Sequence, residues 1–396
     1  MSSLDAGAFG KVARDAGGQS MSAAKRLSFL GLVIVLVLLV LEAGIRVSHG
    51  LRGKAPPHFD PSVEYEWQWA LEHVRLGTST FEGYGVFHPK LGWVTRSNLE
   101  RDGVRTNGAG IRADREIPLA GDPYTVRILF VGDSYTFGSN VSNEHAFPEV
   151  FQRRFLADGE VINLGVPGYA VDQAVLLYET IGTRYSPNIV VLGFFVRDFY
   201  RNLLRFRGYQ KPRFELGEGD SLRIVGLPIL PPQQLYEAYA SGERIIGGWH
   251  YSHLFTKLAN KITRSMERRE IDANSESWRL MAAILRRFRD HVRASKAKPF
   301  LLVLPNRLDG HIGSSYEMID QMAMAEALAL GMPALSMTET FQNEAEANPS
   351  DSLYQERDVG GHLSIRGNEL VAEKLFEVFQ SLGWTWMLDE RASPKE

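Results

Sequence analysis

Short apolar runs alternate with amphipathic segments over the C-terminal two thirds of the chain. The apolar runs have the length of buried strands and lie at residues 126–131, 161–164, 188–195, 300–304 and 334–337. The amphipathic segments have helical spacing and lie at residues 146–156, 172–185, 277–298, 316–330 and 366–382, with Asp172 a candidate N-cap. This alternation predicts an α/β fold, with a parallel five-stranded sheet at the centre of a three-layer α/β/α domain.

The longest apolar run lies near the N-terminus. Residues 27–41 carry no charge, and after Glu42 the run continues to residue 45. Nineteen helical residues span about 28 Å, close to the roughly 30 Å of a bilayer core. The run therefore predicts a transmembrane signal-anchor helix at residues 27–46. A cleaved signal peptide and a buried core helix are less favoured, because no clear A-x-A site follows and the run shows no polar face.

This helix sets the predicted organisation of the chain. Residues 1–26 are expected to form a cytoplasmic tail, and residues 47–124 a juxtamembrane and wrapping segment. The α/β domain is expected at residues 125–390, interrupted by a Pro-containing and partly basic insertion at about residues 203–275. The predicted location is a single-pass inner (plasma) membrane protein, with the α/β domain on the periplasmic or extracytoplasmic side.

The composition excludes several kinds of catalytic and binding site. The 396 residues include no cysteine, which excludes disulfides, thiolate ligands and a cysteine nucleophile. The formal net charge of −3 gives no electrostatic footprint for nucleic acid. His250 and His253 are three residues apart but no third ligand accompanies them, so neither a metal nor a cofactor is expected.

A candidate nucleophile follows the first strand of the α/β domain, in the sequence Gly132-Asp133-Ser134. A serine at a tight strand-to-helix turn can be exposed as a nucleophile, and the helix after it offers N–H groups to a developing oxyanion. A turn with an ordinary helix cap explains the tripeptide equally well. The tripeptide alone therefore does not decide between the two interpretations.

Three sequence blocks together resemble the SGNH (GDSL-like) hydrolase superfamily, as a membrane-anchored bacterial member. They lie at residues 132–138, 163–169 and 358–364, and the resemblance covers about residues 86–385. It implies a flavodoxin-like fold with Ser134 as nucleophile, His362 as general base and Asp358 as the residue that orients it. It also implies an oxyanion hole formed by the N–H groups of Ser134 and Gly168, with Gly165 as the alternative to Gly168.

The chain departs from the family pattern at two places. Arg197 stands where the third block normally has an asparagine that donates to the oxyanion, and Asp198 follows it. The Arg197 guanidinium either replaces that amide in the oxyanion hole or pairs with Asp198. Asp358 lies four residues before His362, whereas the family spacing is two or three. Asp133 and Asp198 are expected to have supporting roles.

The resemblance implies a membrane-anchored serine esterase that removes O-acyl groups from a cell-envelope or exported polysaccharide. Acetyl is the expected acyl group. Two alternatives remain open at this point: an O-acyltransferase that uses the same residues, and a catalytically degenerate module that binds glycan or scaffolds a partner. The expected partners are an acylated carbohydrate or other ester, the membrane through residues 27–46, and envelope polysaccharide machinery.

Overall fold

The computed structural model describes residues 22–52, 61–77, 83–122, 124–156, 158–243, 252–267, 272, 274–307, 315–349, 352–355 and 361–384, so most of the predicted N-terminal tail lies outside these ranges. The helices are α1 (Ala23–Leu51), α2 (Pro61–Leu76), α3 (Ser134–Phe137), α4 (Phe147–Phe155), α5 (Val171–Thr180), α6 (Asp198–Arg201), α7 (Pro232–Ala240), α8 (His253–Glu267), α9 (Glu276–Ala294), α10 (Ser315–Ala329), α11 (Thr338–Ala347) and α12 (Ile365–Ser381). The strands are β1 (Gly85–His88), β2 (Gly92–Thr95), β3 (Glu100–Arg101), β4 (Val104–Arg105), β5 (Arg127–Gly132), β6 (Glu160–Gly165), β7 (Ile189–Phe195), β8 (Arg213–Leu216), β9 (Leu222–Val225), β10 (Lys298–Leu304) and β11 (Ala334–Ser336).

The central sheet has five strands in the order β11-β10-β7-β5-β6, and every neighbouring pair is parallel. This confirms the predicted fold class. Every residue of β5 and β7 is buried, so both faces of the sheet are covered. The apolar runs are therefore continuous rather than alternating, which is why they could be recognised as inner strands.

The helices form one layer on each face of the sheet. Phe130 of β5 packs against Phe147 and Phe151 of α4, and α12 joins the same layer by packing against α4. Neighbouring residues of a strand point to opposite faces, and Leu129 faces the layer that contains α5. Helix α9 packs against α5 in this second layer. The result is the three-layer α/β/α arrangement.

Glycines let α3 lie directly on the carboxyl edge of the sheet. A Cβ atom on Gly132 or Gly193 would come within 2.1 Å of the Thr136 hydroxyl, and one on Gly165 within 2.2 Å of the Phe137 nitrogen. A side chain at any of these positions would push α3 away. The glycines therefore bring the start of α3, and with it Ser134, down onto the ends of β5, β6 and β7.

Helix α1 is longer than the predicted span at both ends. It begins after Ser22, whose hydroxyl accepts the Lys25 N–H, and it continues past Arg46 to Leu51. The apolar pattern ends at Arg46 but the helix does not, because Arg46 pairs with Glu42 one turn earlier at 2.5 Å. The most apolar 18 residues have a mean hydropathy of 2.7 and none is buried, which rules out a core helix. By length and composition α1 could cross a membrane.

The insertion contains the β8–β9 hairpin, α7 and α8, and a buried ion pair fastens it to α5. Nζ of Lys211 lies 2.7 Å from Oδ2 of Asp172, and both side chains are fully buried. The prediction that Asp172 caps α5 is wrong: the helix begins at Val171 after Ala170, and the Asp172 carboxylate points to Lys211. Burial raises the pKa of Asp172, although Lys211 opposes the shift.

Two other predicted helices end earlier than expected. The helix predicted at residues 172–185 is divided at Thr180, and a 3₁₀ turn at Gly182–Tyr185 follows it. Helix α9 ends at Ala294, because Lys296 takes a positive φ of 64° and β10 already begins at Lys298. Neither difference moves a candidate site residue.

Candidate active site

Two candidate catalytic side chains, 228 positions apart in sequence, lie in contact at the carboxyl edge of the sheet. Nε2 of His362 is 2.8 Å from the hydroxyl oxygen of Ser134. Ser134 is the first residue of α3, and Asp133 caps this helix by accepting the Tyr135 N–H at 2.8 Å. Asp133 thus combines a local capping role with a position directly beside the serine. A serine hydroxyl within hydrogen-bond reach of an imidazole is the geometry of a nucleophile and its base.

Tyr135 holds the loop that carries His362. Its hydroxyl donates to the carbonyl oxygen of Gly361 at 2.6 Å, and its ring stacks on Phe195 with the centroids 4.0 Å apart. The Tyr135 ring also lies against the His362 imidazole, with the centroids 5.3 Å apart. Sequence reasoning missed this residue, because the bond joins positions 226 apart in the chain.

The second ring nitrogen of His362, Nδ1, lies near the side-chain amide of Asn140. Nδ1 of His362 lies 3.4 Å from Nδ2 of Asn140, which has a positive φ of 67°. The neighbouring Gln355 holds the histidine backbone, since its N–H donates to the His362 carbonyl at 2.8 Å. Asp358, the predicted orienting carboxylate, lies outside the described residues.

The backbone geometry favours Gly168 over Gly165 as an oxyanion donor. Among the described residues, no acceptor is bonded to the N–H of Gly168 or of Ser134. The Gly165 N–H already donates to the side chain of Asn163 at 2.9 Å. Gly168 has a φ of +86°, a conformation that glycine adopts without strain.

Trp93 positions the loop that carries Gly168. Its indole N–H donates to the Pro167 carbonyl at 3.1 Å, and its backbone carbonyl accepts the Tyr169 hydroxyl. The Trp93 and Tyr169 rings meet edge to face, with their centroids 5.3 Å apart. The small hairpin of β1 and β2, which contains Trp93, thereby packs against the Gly168 loop.

Arg201 connects the buried carboxylates under the nucleophile. Its Nη1 donates to Oδ2 of Asp133 at 3.1 Å and to the Tyr169 carbonyl at 3.2 Å, and it also bonds Asp198. This single nitrogen therefore joins the Gly168–Tyr169 loop to the residue before Ser134. The expected alternative that Arg197 pairs with Asp198 is wrong: Arg201, three residues after Asp198, holds that position.

Burial and neighbouring charges shift the pKa values of Asp198 and Arg201 in this network. Burial raises the pKa of Asp198 well above its ordinary value, and Arg201 opposes the shift only in part. Desolvation would lower the pKa of Arg201, but the charges of Asp198 and Asp133 outweigh it, and the pKa is raised. Arg201 is consequently a permanent cation beside the candidate nucleophile.

Arg197 is exposed and precedes α6 at the end of β7. No hydrogen bond or ion pair joins its side chain to the described part of the chain. Within the same described ranges, no group of three or more histidine or acidic side chains could hold a metal ion. His250, of the histidine pair in the insertion, lies outside those ranges.

Comparison with known proteins gives similarity at the level of the fold. No family model and no curated protein matches the chain. A lipolytic protein of the G-D-S-L family from Desulfitobacterium hafniense has 13% identity and a TM-score of 0.37, over 64% of this chain and 99% of that one. A catalytic mutant of an acetylxylan esterase from Geobacillus stearothermophilus has 12% identity and a TM-score of 0.38, over 66% of this chain and 96% of that one.

Proposed function

We propose that this chain is a membrane-anchored serine esterase that removes O-acyl groups, with acetyl the expected one, from a cell-envelope or exported polysaccharide. The observation that carries the proposal is the 2.8 Å contact between the Ser134 hydroxyl and Nε2 of His362. The backbone N–H groups of Ser134 and Gly168, which have no acceptor among the described residues, support it.

The proposed reaction begins with attack of Ser134 Oγ on the ester carbonyl. Nε2 of His362 takes the hydroxyl proton, and the N–H groups of Ser134 and Gly168 stabilise the oxyanion of the tetrahedral intermediate. The bond between the acyl carbon and the sugar oxygen then breaks, and His362 passes its proton to that oxygen, which leaves as the sugar hydroxyl. The acyl group remains on Ser134 as an ester.

Water completes the proposed cycle. His362 takes a proton from the attacking water, and the acyl–serine bond breaks as the proton returns to Ser134 Oγ. The free acid is released. In this proposal Asp358 orients the imidazole through Nδ1, and Arg197 uses one of its five N–H donors as an additional donor to the oxyanion, which leaves the others for further contacts.

A specific contact supports α1 as a permanent anchor rather than a cleaved signal. Oε1 of Glu42 accepts the His253 N–H at 2.9 Å, and Oε2 accepts the Leu254 N–H at 2.8 Å and the Ser252 hydroxyl at 2.9 Å. Cleavage after the apolar run would leave these donors at the start of α8 without the carboxylate. We therefore propose that α1 stays in the membrane, with residues 1–26 in the cytoplasm and the α/β domain outside it.

The test is ester hydrolysis by the full chain in detergent, with 4-nitrophenyl acetate as substrate. Ser134→Ala and His362→Ala are each expected to lower kcat at least about 10³-fold, as loss of a nucleophile or its base does. The matched controls are Ser241→Ala and His291→Ala, which are exposed at the end of α7 and on α9 and should keep the wild-type rate. Equal residual hydrolysis in the wild type and the two site variants would overturn the proposal.

Two further measurements address the substrate and the location. Release of acetate from an acetylated polysaccharide supports the hydrolase, whereas transfer of labelled acetyl to an added polysaccharide acceptor supports the transferase instead. A phosphatase reporter fused after residue 60 should be active only outside the cytoplasm. Activity of the fusion inside the cell would contradict the proposed orientation.

A further inference from the structure

Three arginines, Arg197, Arg201 and Arg207, lie close enough together to interact electrostatically, and Arg201 contacts the residue before the candidate nucleophile, in a chain whose net charge is −3. Arg197 and Arg201 are four residues apart across the short helix α6, a spacing that places side chains on the same side of a helix. Arg207 follows on the next loop. A tight turn with Gly208 at φ +69° holds it there, and the Arg207 N–H donates to the Tyr209 carbonyl at 2.7 Å.

Arg201 links this cluster to the nucleophile through one atom, Oδ2 of Asp133. The Asp133 oxygen that accepts its Nη1 at 3.1 Å is also 3.3 Å from the Ser134 hydroxyl. All hydrogen bonds from the Arg201 side chain to described residues come from Nη1. Its side chain is 16% exposed, and Nε and Nη2 keep their donors available to a ligand.

Arg197 and Arg207 have no carboxylate partner among the residues that the structure describes. Both are exposed. Partial desolvation lowers the pKa of Arg207, and the charges of Arg201 and Arg197 lower it further, which agrees with three cations held close together. The two buried carboxylates nearby, Asp133 and Asp198, are both bonded to Arg201, and Asp198 opposes the lowering of the Arg207 pKa only in part.

We infer that Arg197, Arg201 and Arg207 form an anion-binding subsite, so the ester substrate carries a carboxylate or phosphate group near its acyl group. Like charges held together are unfavourable until an anion joins them, and the planar guanidinium matches both oxyanions through paired hydrogen bonds. In terms of the proposed function, on which this inference rests, the polysaccharide would contain uronic acid or phosphorylated sugar units. Acylated neutral glycans would be poor substrates.

The first experiment compares 4-acetoxybenzoate with 4-acetoxybenzamide, two acetyl esters of the same shape that differ in charge. The wild type should prefer the anion. In Arg207→Gln the ratio of kcat/KM for the charged to the neutral ester should fall about tenfold, and Arg207→Lys should lie between. Arg223→Gln is the matched control, because Arg223 is an exposed arginine paired with Glu215 on the β8–β9 hairpin. Its ratio should equal that of the wild type.

The second experiment measures binding without turnover. Calorimetry on the full-chain Ser134→Ala variant, titrated with glucuronate, inorganic phosphate or glucose, should show binding of an anion but not of glucose. Glucuronate in preference to phosphate indicates a uronic acid substrate, and the reverse a phosphorylated one. The Arg207→Gln change in the same background should weaken that binding about tenfold.

The outcomes separate this inference from the proposed function. Suppose that both esters are hydrolysed, that Arg207→Gln leaves the ratio of their kcat/KM values unchanged, and that no anion binds. This result would overturn the subsite, while the esterase stands. No hydrolysis of either ester by the wild type would overturn the esterase. Anion binding that Arg207→Gln weakens would in that case still support the subsite.

Discussion

Nη1 of Arg201 and Oδ2 of Asp133 are 3.1 Å apart, directly beneath the candidate nucleophile. The same Oδ2 atom is 3.3 Å from the Ser134 hydroxyl, which carries a single proton and also lies 2.8 Å from His362. Asp133 and His362 therefore compete for that proton. The Arg201 charge makes Asp133 a weaker acceptor and leaves the proton to the imidazole.

This competition predicts the effect of removing the Arg201 charge. Arg201→Gln should lower kcat for a neutral ester such as 4-nitrophenyl acetate about 10- to 100-fold, with a smaller change in KM, because the serine then donates to Asp133 more often and general-base catalysis is weakened.

Arg201→Lys is the control, because it keeps the charge and should recover part of the rate. A variant with reduced kcat and no rescue by lysine would reduce Arg201 to a packing role.

Substitution of the two candidate oxyanion glycines is expected to have different effects on rate and stability. Gly168→Ala introduces a Cβ whose nearest neighbour is Trp93 at 3.5 Å, but at a φ of +86° that strains the loop. We expect a folded protein with kcat reduced about 10²-fold, since displacement of one oxyanion donor has that effect. Steady-state kinetics and circular dichroism measure the two properties.

Gly165→Ala is the contrasting variant. Its Cβ would lie 2.2 Å from the Phe137 nitrogen, so α3 must move away from the sheet, and the melting temperature should fall together with the rate. Equal rates in Gly168→Ala and the wild type would remove Gly168 from the oxyanion hole.

The sequence was most informative where a local pattern and a buried environment coincide. The strands at Ile189–Phe195 and Lys298–Leu304 are apolar on both faces, so their runs predicted the sheet without tertiary information. The contact between Ser134 and His362 was implied by the resemblance of their two sequence blocks to the SGNH superfamily, and in the structure these two side chains lie 2.8 Å apart.

Side chains that act across the fold could not be predicted in this way. Arg201 lies 68 positions from Asp133, and Lys211 lies 39 positions from Asp172 inside an insertion of no regular pattern. Asp172 has the residue type and position of a helix cap, but a buried cation decides where its carboxylate points. A spacing of three between Asp198 and Arg201 was the one local signal for the network under the nucleophile.

The ion pair between Lys211 and Asp172 predicts a pH-dependent loss of stability. Lys211→Met leaves Asp172 buried without its cation, a change that typically costs about 3–5 kcal/mol. Burial already raises the pKa of Asp172 above its ordinary 3.8, and loss of Lys211 raises it further. The folded variant then keeps a proton that the unfolded chain has released.

Stability of Lys211→Met should therefore decline as the pH rises above about 4, relative to the wild type. Thermal unfolding between pH 4 and pH 8 measures this. Adding Asp172→Asn removes the titrating group, so the double variant should lose the dependence. If Lys211→Met alone is equally destabilised at every pH, the predicted decline of its stability with rising pH is wrong.

The contact between Glu42 and the start of α8 predicts that α1 stabilises the insertion. Glu42→Ala removes the acceptor for the backbone N–H groups of His253 and Leu254, and loss of a helix cap typically costs about 1 kcal/mol. Hydrogen exchange at the first turn of α8 should accelerate about fivefold in the full chain in detergent.

Arg46→Gln separates the cap from the ion pair. It removes the partner of Glu42 at 2.5 Å but keeps the carboxylate, so exchange in α8 should change less than in Glu42→Ala. Hydrogen exchange in α12, which is near the C-terminal end of the described residues and makes no bond to Glu42, serves as the internal reference. Unaltered α8 exchange in Glu42→Ala would show that Glu42 does not stabilise this helix. The contact would then no longer support retention of α1.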